Sequence, residues 1–301
     1  MRDSDGVEHV PGYDEPLVVL HAGSLARPLR AALDSFTART KIPVVTISAG
    51  SVEAARRITE LHDVPDLIAL ADEEVFPALL VPRYVGGYTS FARNRMVIAI
   101  APQRDHVKID STNWYRVLSA ADAEVGRSNP DLDPAGYRAL MVLRLAEFAY
   151  RNPWITRAVL ARSPARNVRP KSSDLVALLQ TGALDYAFLY ESSARAAGLK
   201  WIELPASMNL GSDSLAANYA RARIRIAGSS RGDSIEVRGE PIRYALAVPR
   251  GAPHLERANR LDGFLLSAQG LKVMRDAGLD VVPPQFHGPP PIVRLLAPSK
   301  P

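Results

Sequence analysis

Two stretches near the start of the chain are built alike. The apolar run Leu17–His21 (LVVLH) leads into Ala22-Gly23-Ser24 and then a helical pattern at Leu25, Leu29, Leu33 and Phe36. Val44–Ser48 (VVTIS) leads into Ala49-Gly50-Ser51 and a helical stretch over Val52–Leu61. A third run, Asp66–Ala71 (DLIALA), ends in Asp72-Glu73-Glu74 and precedes a helical segment reaching Leu80. Short runs that are apolar throughout must bury both faces, and their alternation with amphipathic helices predicts a parallel sheet of βαβ units. The predicted fold class is therefore α/β. In open sheets of this kind ligands sit beyond the carboxyl ends of the strands, where both Ala-Gly-Ser turns fall. Each serine reads either as a plain helix N-cap or as a donor to a ligand.

The same grammar continues. Strands are predicted at Met96–Ala101, Asp185–Tyr190, Trp201–Leu204 and Arg243–Val248. Helices are predicted from about Tyr137 to Tyr150, with Leu140, Met141, Leu143, Leu145 and Phe148 as the apolar set, and at Leu175–Thr181, Ser192–Ala197, Leu255–Leu266 and Ala268–Ala277. Two α/β blocks result, 17–101 and about 103–205, followed by a β-α-α segment too small to fold alone. Returning that segment to the first block gives two lobes, 17–102 with 241–301 and 103–240, joined by two crossings of the chain. Residues 1–16 read as a disordered leader, 206–240 as a polar Gly/Ser-rich region carrying SSRGDS, and the proline-rich end as a surface tail.

Composition excludes several classes. At 301 residues the chain is long enough for a sizeable core, and no apolar run approaches a membrane span. The formal charge is +5, which suits an anionic partner, but the arginines are scattered and imply no nucleic acid. Without cysteine there are no disulfides, thiolate metal sites or cysteine nucleophiles. The polar N-terminus has no h-region, so an export signal is not expected in the sequence as given; a cytoplasmic location and a removed signal both remain open. Neither GxxxxGK[ST] nor GxGxxG follows a strand, and HExxH and GxSxG are missing. His21 stands near Ser24 with no acid to orient it, so it reads as a structural histidine.

What remains is a set of helix starts, after Ser24, after Ser51, after Asp133-Pro134-Ala135 and after Ser172-Ser173. Unpaired N–H groups and the positive end of the helix dipole favour anions there. The stretch Gly126–Arg138 (GRSNPDLDPAGYR) supplies one such start. Brought together, these ends would offer neutral donors without a nearby lysine or arginine, suited to a small, fully ionised oxyanion. Tyr190, ending DYAFLY, adds a phenolic donor.

At these residues the chain resembles the tungstate/molybdate-binding proteins of ABC transporters, the archaeal-type WtpA/ModA branch of type II periplasmic binding proteins. The matching segments are HAGSLARPL, ISAGSVEAARRITEL, VPDLIALAD, FARNRMVIA, GRSNPDLDPAGYRALMVLRLAE, NVRPKSSDLVALLQTGALDYAFLY and GLKWIELPASMNL, with PIRYALAVPRGAPH through GLDVVPP fitting more loosely. The resemblance implies a two-lobed fold, each lobe a mostly parallel sheet flanked by helices. It implies a monomer that is not an enzyme, needs no cofactor, and delivers its ion to a permease at the periplasmic or extracellular face. It places Ser24 and Ser51 on the ion from one lobe, and Asp133, Ala135, Ser172 and Tyr190 from the other. In this branch two carboxylates can approach the metal of the oxyanion. Asp133 stands for the first, but an RPKETD-type stretch reads Arg169-Pro170-Lys171-Ser172-Ser173-Asp174 here, so Ser172 replaces the second. A hydrogen-bonded, tetrahedral ion is then expected, with Asp133 either touching the metal or capping its own helix. Rival readings are a sulfate or phosphate receptor on the same fold, a regulatory ligand module, which lacks room for a helix-turn-helix in 1–16, and an enzyme, which lacks a nucleophile–base pair.

Overall fold

The first three predicted strands pair with one another, but Val44–Ala49 takes the sheet edge and stays largely open, with Val45 46% exposed, instead of burying both faces. In the computed structural model, which describes residues 15–228 and 233–289, β1 (Leu17–Ala22), β2 (Val44–Ala49) and β3 (Leu67–Leu70) lie parallel in the order β2-β1-β3. Helix α1 (Ala26–Thr40) buries Leu29, Leu33 and Phe36 and stops at Lys41, a left-handed C-cap with φ of 61°. Helix α2 (Ser51–Thr59) starts at Gly50, whose N–H donates to Glu53 Oε2 at 3.2 Å, and buries Val52, Ala54, Ala55 and Ile58. A π-helical turn, Phe76–Leu80, follows β3 and leads to β4 (Tyr88–Arg93).

Only Asn94 and Arg95 separate β4 from β5 (Met96–Ile100), yet β5 belongs to a different sheet. The second unit adds α3 (Trp114–Val117), β6 (Val125–Ser128), α4 (Pro134–Tyr150), α5 (Ile155–Leu160) and β7 (Val168–Arg169). It continues with α6 (Asp174–Gln180), β8 (Tyr186–Tyr190), α7 (Glu191–Ala196) and β9 (Lys200–Glu203). Its strands are ordered β7-β6-β8-β5-β9. After α8 (Ala216–Tyr219), β10 (Arg223–Ala227) and β11 (Ser234–Arg238) form a separate antiparallel hairpin. The chain then returns to the first sheet as β12 (Arg243–Ala247), followed by α9 (Leu255–Leu265), α10 (Ala268–Asp276) and β13 (Asp280–His287). The first sheet runs β13-β4-β12-β3-β1-β2.

Four expectations are corrected. Met96–Ile100, assigned to the first block, pairs antiparallel with β8 and β9 of the second sheet, because the chain enters that sheet straight from β4. Both sheets are mixed rather than mostly parallel, since the strands around each crossing, β4, β12 and β13 in one and β5 in the other, run against their neighbours. The polar, Gly/Ser-rich region 206–240, for which no strand is predicted, carries the β10–β11 hairpin. Phe148, counted in the apolar stripe of α4, is 47% exposed, with the Arg221 guanidinium 4.3 Å from its ring. The leader, apart from Glu15 and Pro16, most of SSRGDS and the proline-rich tail lie outside the described residues.

Candidate functional site

In the first sheet, the carboxyl ends of β1, β2 and β3 carry Ser24, Ser51 and the Ala71-Asp72 pair. Ser24 lies inside a 3-10 turn, Gly23–Leu25, and makes no capping bond; its half-buried Oγ accepts from the Tyr244 hydroxyl at 2.9 Å. Ser51 is fully buried at the first position of α2, after Gly50, and its Oγ accepts the N–H of Ala71 at 3.0 Å. Neither serine is the N-cap that sequence predicts. Both hydroxyls are bonded across the strand ends instead. His21 is buried, and its Nδ1 lies 2.9 Å from the Ala22 carbonyl, in keeping with a structural role.

The second sheet offers the ends of β6, β7 and β8. Asp133 is the N-cap of α4, its Oδ1 accepting from the N–H of Ala135 at 3.4 Å. Its Oδ2 accepts from the N–H of Ser172 at 2.6 Å, so one carboxylate ties the start of α4 to the turn before α6. Burial pushes the Asp133 carboxyl above its usual range, against the pull of the Ser172 N–H and the hydroxyls of Ser128 and Ser172. Ala135 and Ser172 are buried beside it. Ser173 holds the N-cap position of α6 without a side-chain bond, so neither serine of this turn caps as expected. Tyr190 closes β8 fully buried, and its Oη accepts from Arg138 Nη1 at 2.7 Å.

The two sets face each other across a very close approach. A Cβ on Gly50 would fall 2.2 Å from the Leu132 carbonyl oxygen and 3.2 Å from the Cα of Asp133. One on Gly23 would meet the Ser173 hydroxyl at 2.7 Å. Only glycine allows the first-sheet turns to press so closely on the α4 and α6 starts. The Glu53 N–H, in the first turn of α2, donates to the Leu132 carbonyl at 3.2 Å, and Arg56 Nη1 donates to the Asp131 carbonyl at 3.3 Å. The rings of Tyr190 and Tyr244 meet edge-on, 6.0 Å between centroids. Ser24, Ser51, Asp133, Ala135, Ser172 and Tyr190 are thus gathered at one contact between the sheets.

Sequence reasoning missed the charge at this contact. Arg138, one turn into α4 and 3% exposed, pairs with Asp72 at 3.0 Å and donates to the Ala71 carbonyl at 2.8 Å. Burial works against its charge, but Asp72, Tyr190 and Tyr137 together more than offset that and keep the guanidinium firmly protonated. The Tyr137 hydroxyl bonds the other oxygen of Asp72. The donors therefore do not stand without an arginine nearby, although this arginine is neutralised. A signal existed: Arg138 is a lone cation on an otherwise apolar helix face, and Asp72 is the first of three acids that end a buried strand. Asn94 was missed as well. It sits in the crossing between β4 and β5, and its Nδ2 donates to the Tyr244 hydroxyl at 2.8 Å.

With this geometry in view, comparison with known proteins is direct. The sequence pattern of the bacterial extracellular solute-binding protein family matches residues 17–280, and the chain belongs to that family. It is 38% identical over 270 residues to an uncharacterized solute-binding protein of Petrotoga mobilis, covering 89% of this chain and 84% of that protein. It is 32% identical over 296 residues to the molybdate/tungstate-binding protein WtpA of Thermococcus kodakarensis, covering 89% and 82%. In fold it matches the periplasmic molybdate-binding protein of Azotobacter vinelandii, with a TM-score of 0.64 at 16% identity, covering 87% of this chain and 98% of that one. Among the described residues no helix is long and apolar enough to cross a membrane.

Proposed function

We propose that this chain binds molybdate or tungstate between its two sheets and hands the ion to an ABC permease. The observation that carries the reading is the polarity of the hydroxyls at the contact. Ser51 Oγ already accepts a backbone N–H, and Tyr190 Oη accepts from an arginine, which can only donate. Burial raises the Tyr190 phenol well above its usual range, so it keeps its proton. Each of these hydroxyls already accepts one bond and has its own proton left for a ligand. Donors without acceptors favour an oxyanion that carries no proton. Molybdate and tungstate meet that condition at neutral pH, whereas phosphate retains a proton and needs an acceptor.

In this reading Ser24, Ser51 and Tyr190 bond the oxygens, with the helix starts at Ser51 and Ala135 behind them, while Ser172, whose N–H and hydroxyl both go to Asp133, holds the turn before α6 in place. Asp133 serves as cap and strut rather than as a ligand of the metal, because both its oxygens take backbone N–H groups, and the ion stays tetrahedral. The first lobe is the sheet containing β1 to β4, β12 and β13, the second the sheet containing β5 to β9, and closure about the two crossings buries the ion. A monomer working at the periplasmic or extracellular face, with no cofactor, fits the family and the relatives named WtpA.

Calorimetric titration of the purified chain with tungstate, molybdate, sulfate and phosphate tests this. Tight binding of the first two, lost in Ser51→Ala, is expected; preference for sulfate or phosphate sinks the reading. Metal coordination is tested separately. Asp133→Ala abolishing tungstate binding while Ser172→Ala leaves it intact would make Asp133 a metal ligand.

A further inference from the structure

Asn94 lies in the two-residue crossing between β4 and β5, is buried, and makes none of its side-chain hydrogen bonds to a residue assigned above to the ion. Its Oδ1 accepts the N–H of Arg95 at 2.9 Å and that of Ser192 at 3.4 Å. Backbone N–H groups can only donate, so these two bonds fix which end of the amide is oxygen. The opposite Nδ2 donates to the Ser192 hydroxyl at 2.7 Å and to the Tyr244 hydroxyl at 2.8 Å. Tyr244 is fully buried, and burial raises its phenol, so it holds one proton. Its oxygen takes the Asn94 amide and the Ser192 hydroxyl, which together fill its acceptor side, so that proton goes to Ser24 Oγ at 2.9 Å. Ser24, now an acceptor from Tyr244, has its own proton left to give.

We infer that Asn94 is a positioning residue that sets ligand specificity, by fixing the Asn94–Tyr244–Ser24 chain in one direction so that Ser24 meets the ion only as a donor. The inference rests on the proposed oxyanion site and adds a residue to it that touches no ligand. A chain of hydrogen bonds transmits polarity as long as each member has a single proton to place. Reversing the first member reverses the last. Asn94→Asp does this with almost no change of shape: its carboxylate still accepts from Arg95 and Ser192, but it now also accepts from Tyr244. Tyr244 then accepts from Ser24, and Ser24 turns a lone pair toward the ion. The crossing between the sheets thereby controls the proton preference of the site.

The test compares the parent chain, Asn94→Asp, Tyr244→Phe and the double variant, titrated with sodium tungstate and with inorganic phosphate near pH 6, each fold checked by its melting curve. Asn94→Asp is expected to lose about tenfold or more in tungstate affinity, as for a lost bond to a charged group. Phosphate, which carries protons at this pH, should gain relative to tungstate. In the Tyr244→Phe background the chain is already broken, so the same substitution should leave the tungstate-to-phosphate ratio unchanged. An equal effect in both backgrounds is a plain charge effect and overturns the inference. Ser24→Ala separates the two levels. If the parent binds no tungstate, or Ser24→Ala binds as the parent does, the site reading falls and the inference with it. If Ser24→Ala weakens binding while Asn94→Asp acts alike in both backgrounds, only the inference falls.

Discussion

Gly50→Ala is a one-carbon change with a calculable consequence. The added Cβ falls 2.2 Å from the Leu132 carbonyl oxygen and 2.8 Å from its carbon, where ordinary contact begins at 3.4 Å. Both obstacles are backbone, so the two sheets must part by more than an ångström. That separation breaks the Glu53 N–H bond to Leu132 and stretches the Arg56 bond to Asp131. Two hydrogen bonds at roughly 1 kcal/mol each, plus about 0.5 kcal/mol for drawing the α2 dipole away from the ion, give a loss of about 2–3 kcal/mol. Tungstate affinity should fall by about 30- to 150-fold. The open chain has little to lose: Gly50 has φ of −69° and ψ of 151°, an extended conformation that alanine adopts freely. Replacing an N-cap glycine costs at most about 1 kcal/mol. Calorimetric titration alongside melting of the ligand-free protein reads both quantities. Unchanged affinity in Gly50→Ala would refute the claim that closure at this contact contributes to binding.

Other outcomes follow from the same geometry. Arg138→Ala leaves Asp72 buried without its partner and should cost about 3–5 kcal/mol in denaturant unfolding, while Arg138→Met with Asp72→Asn should recover much of that. Asp133→Asn weakens the cap of α4 and the tie to Ser172, so stability should fall by about 1 kcal/mol while tungstate still binds. Burial, with Glu74 and Asp72 adding to it against Arg243, raises Glu73 to about 7 from 4.5. The folded chain thus holds this proton where the unfolded chain has released it. Its contribution is complete below pH 4.5 and is lost as pH rises through about 7, a fall on the order of 3 kcal/mol that urea titrations across this range should see and Glu73→Gln should flatten.

The sequence exposed those parts of the molecule whose chemistry is local. β1, β2 and β3 announce themselves as apolar runs, and Asp133-Pro134-Ala135 is a helix start by composition alone. What escaped depends on distant partners. β13 contains Pro283 and Pro284 and looks like tail, but it is an edge strand, and its pairing with β4 shifts register between Val281 and Gln285, where the prolines need no partner. β10 and β11 alternate Ile224, Ile226, Ile235 and Val237 with charged residues, a period-two signal masked by the overall polarity of the region. Whether Met96–Ile100 joins the first or the second sheet cannot be read from a run apolar on both faces. Ser24 and Ser51 were found because turns mark them, but their bonds to Tyr244 and Ala71 lie 220 and 20 residues away. Arg138 escaped because its charge is meaningful only once Asp72 is beside it.

The central claim is that two sheets close their strand ends around one proton-free metal oxyanion. Elemental analysis of the purified chain after exposure to an equimolar mixture of tungstate, molybdate and sulfate tests it most directly. The account predicts about one tungsten or molybdenum per chain, retained through gel filtration and lost in Ser51→Ala. Sulfur from sulfate in place of either metal, or no retained oxyanion, would contradict it.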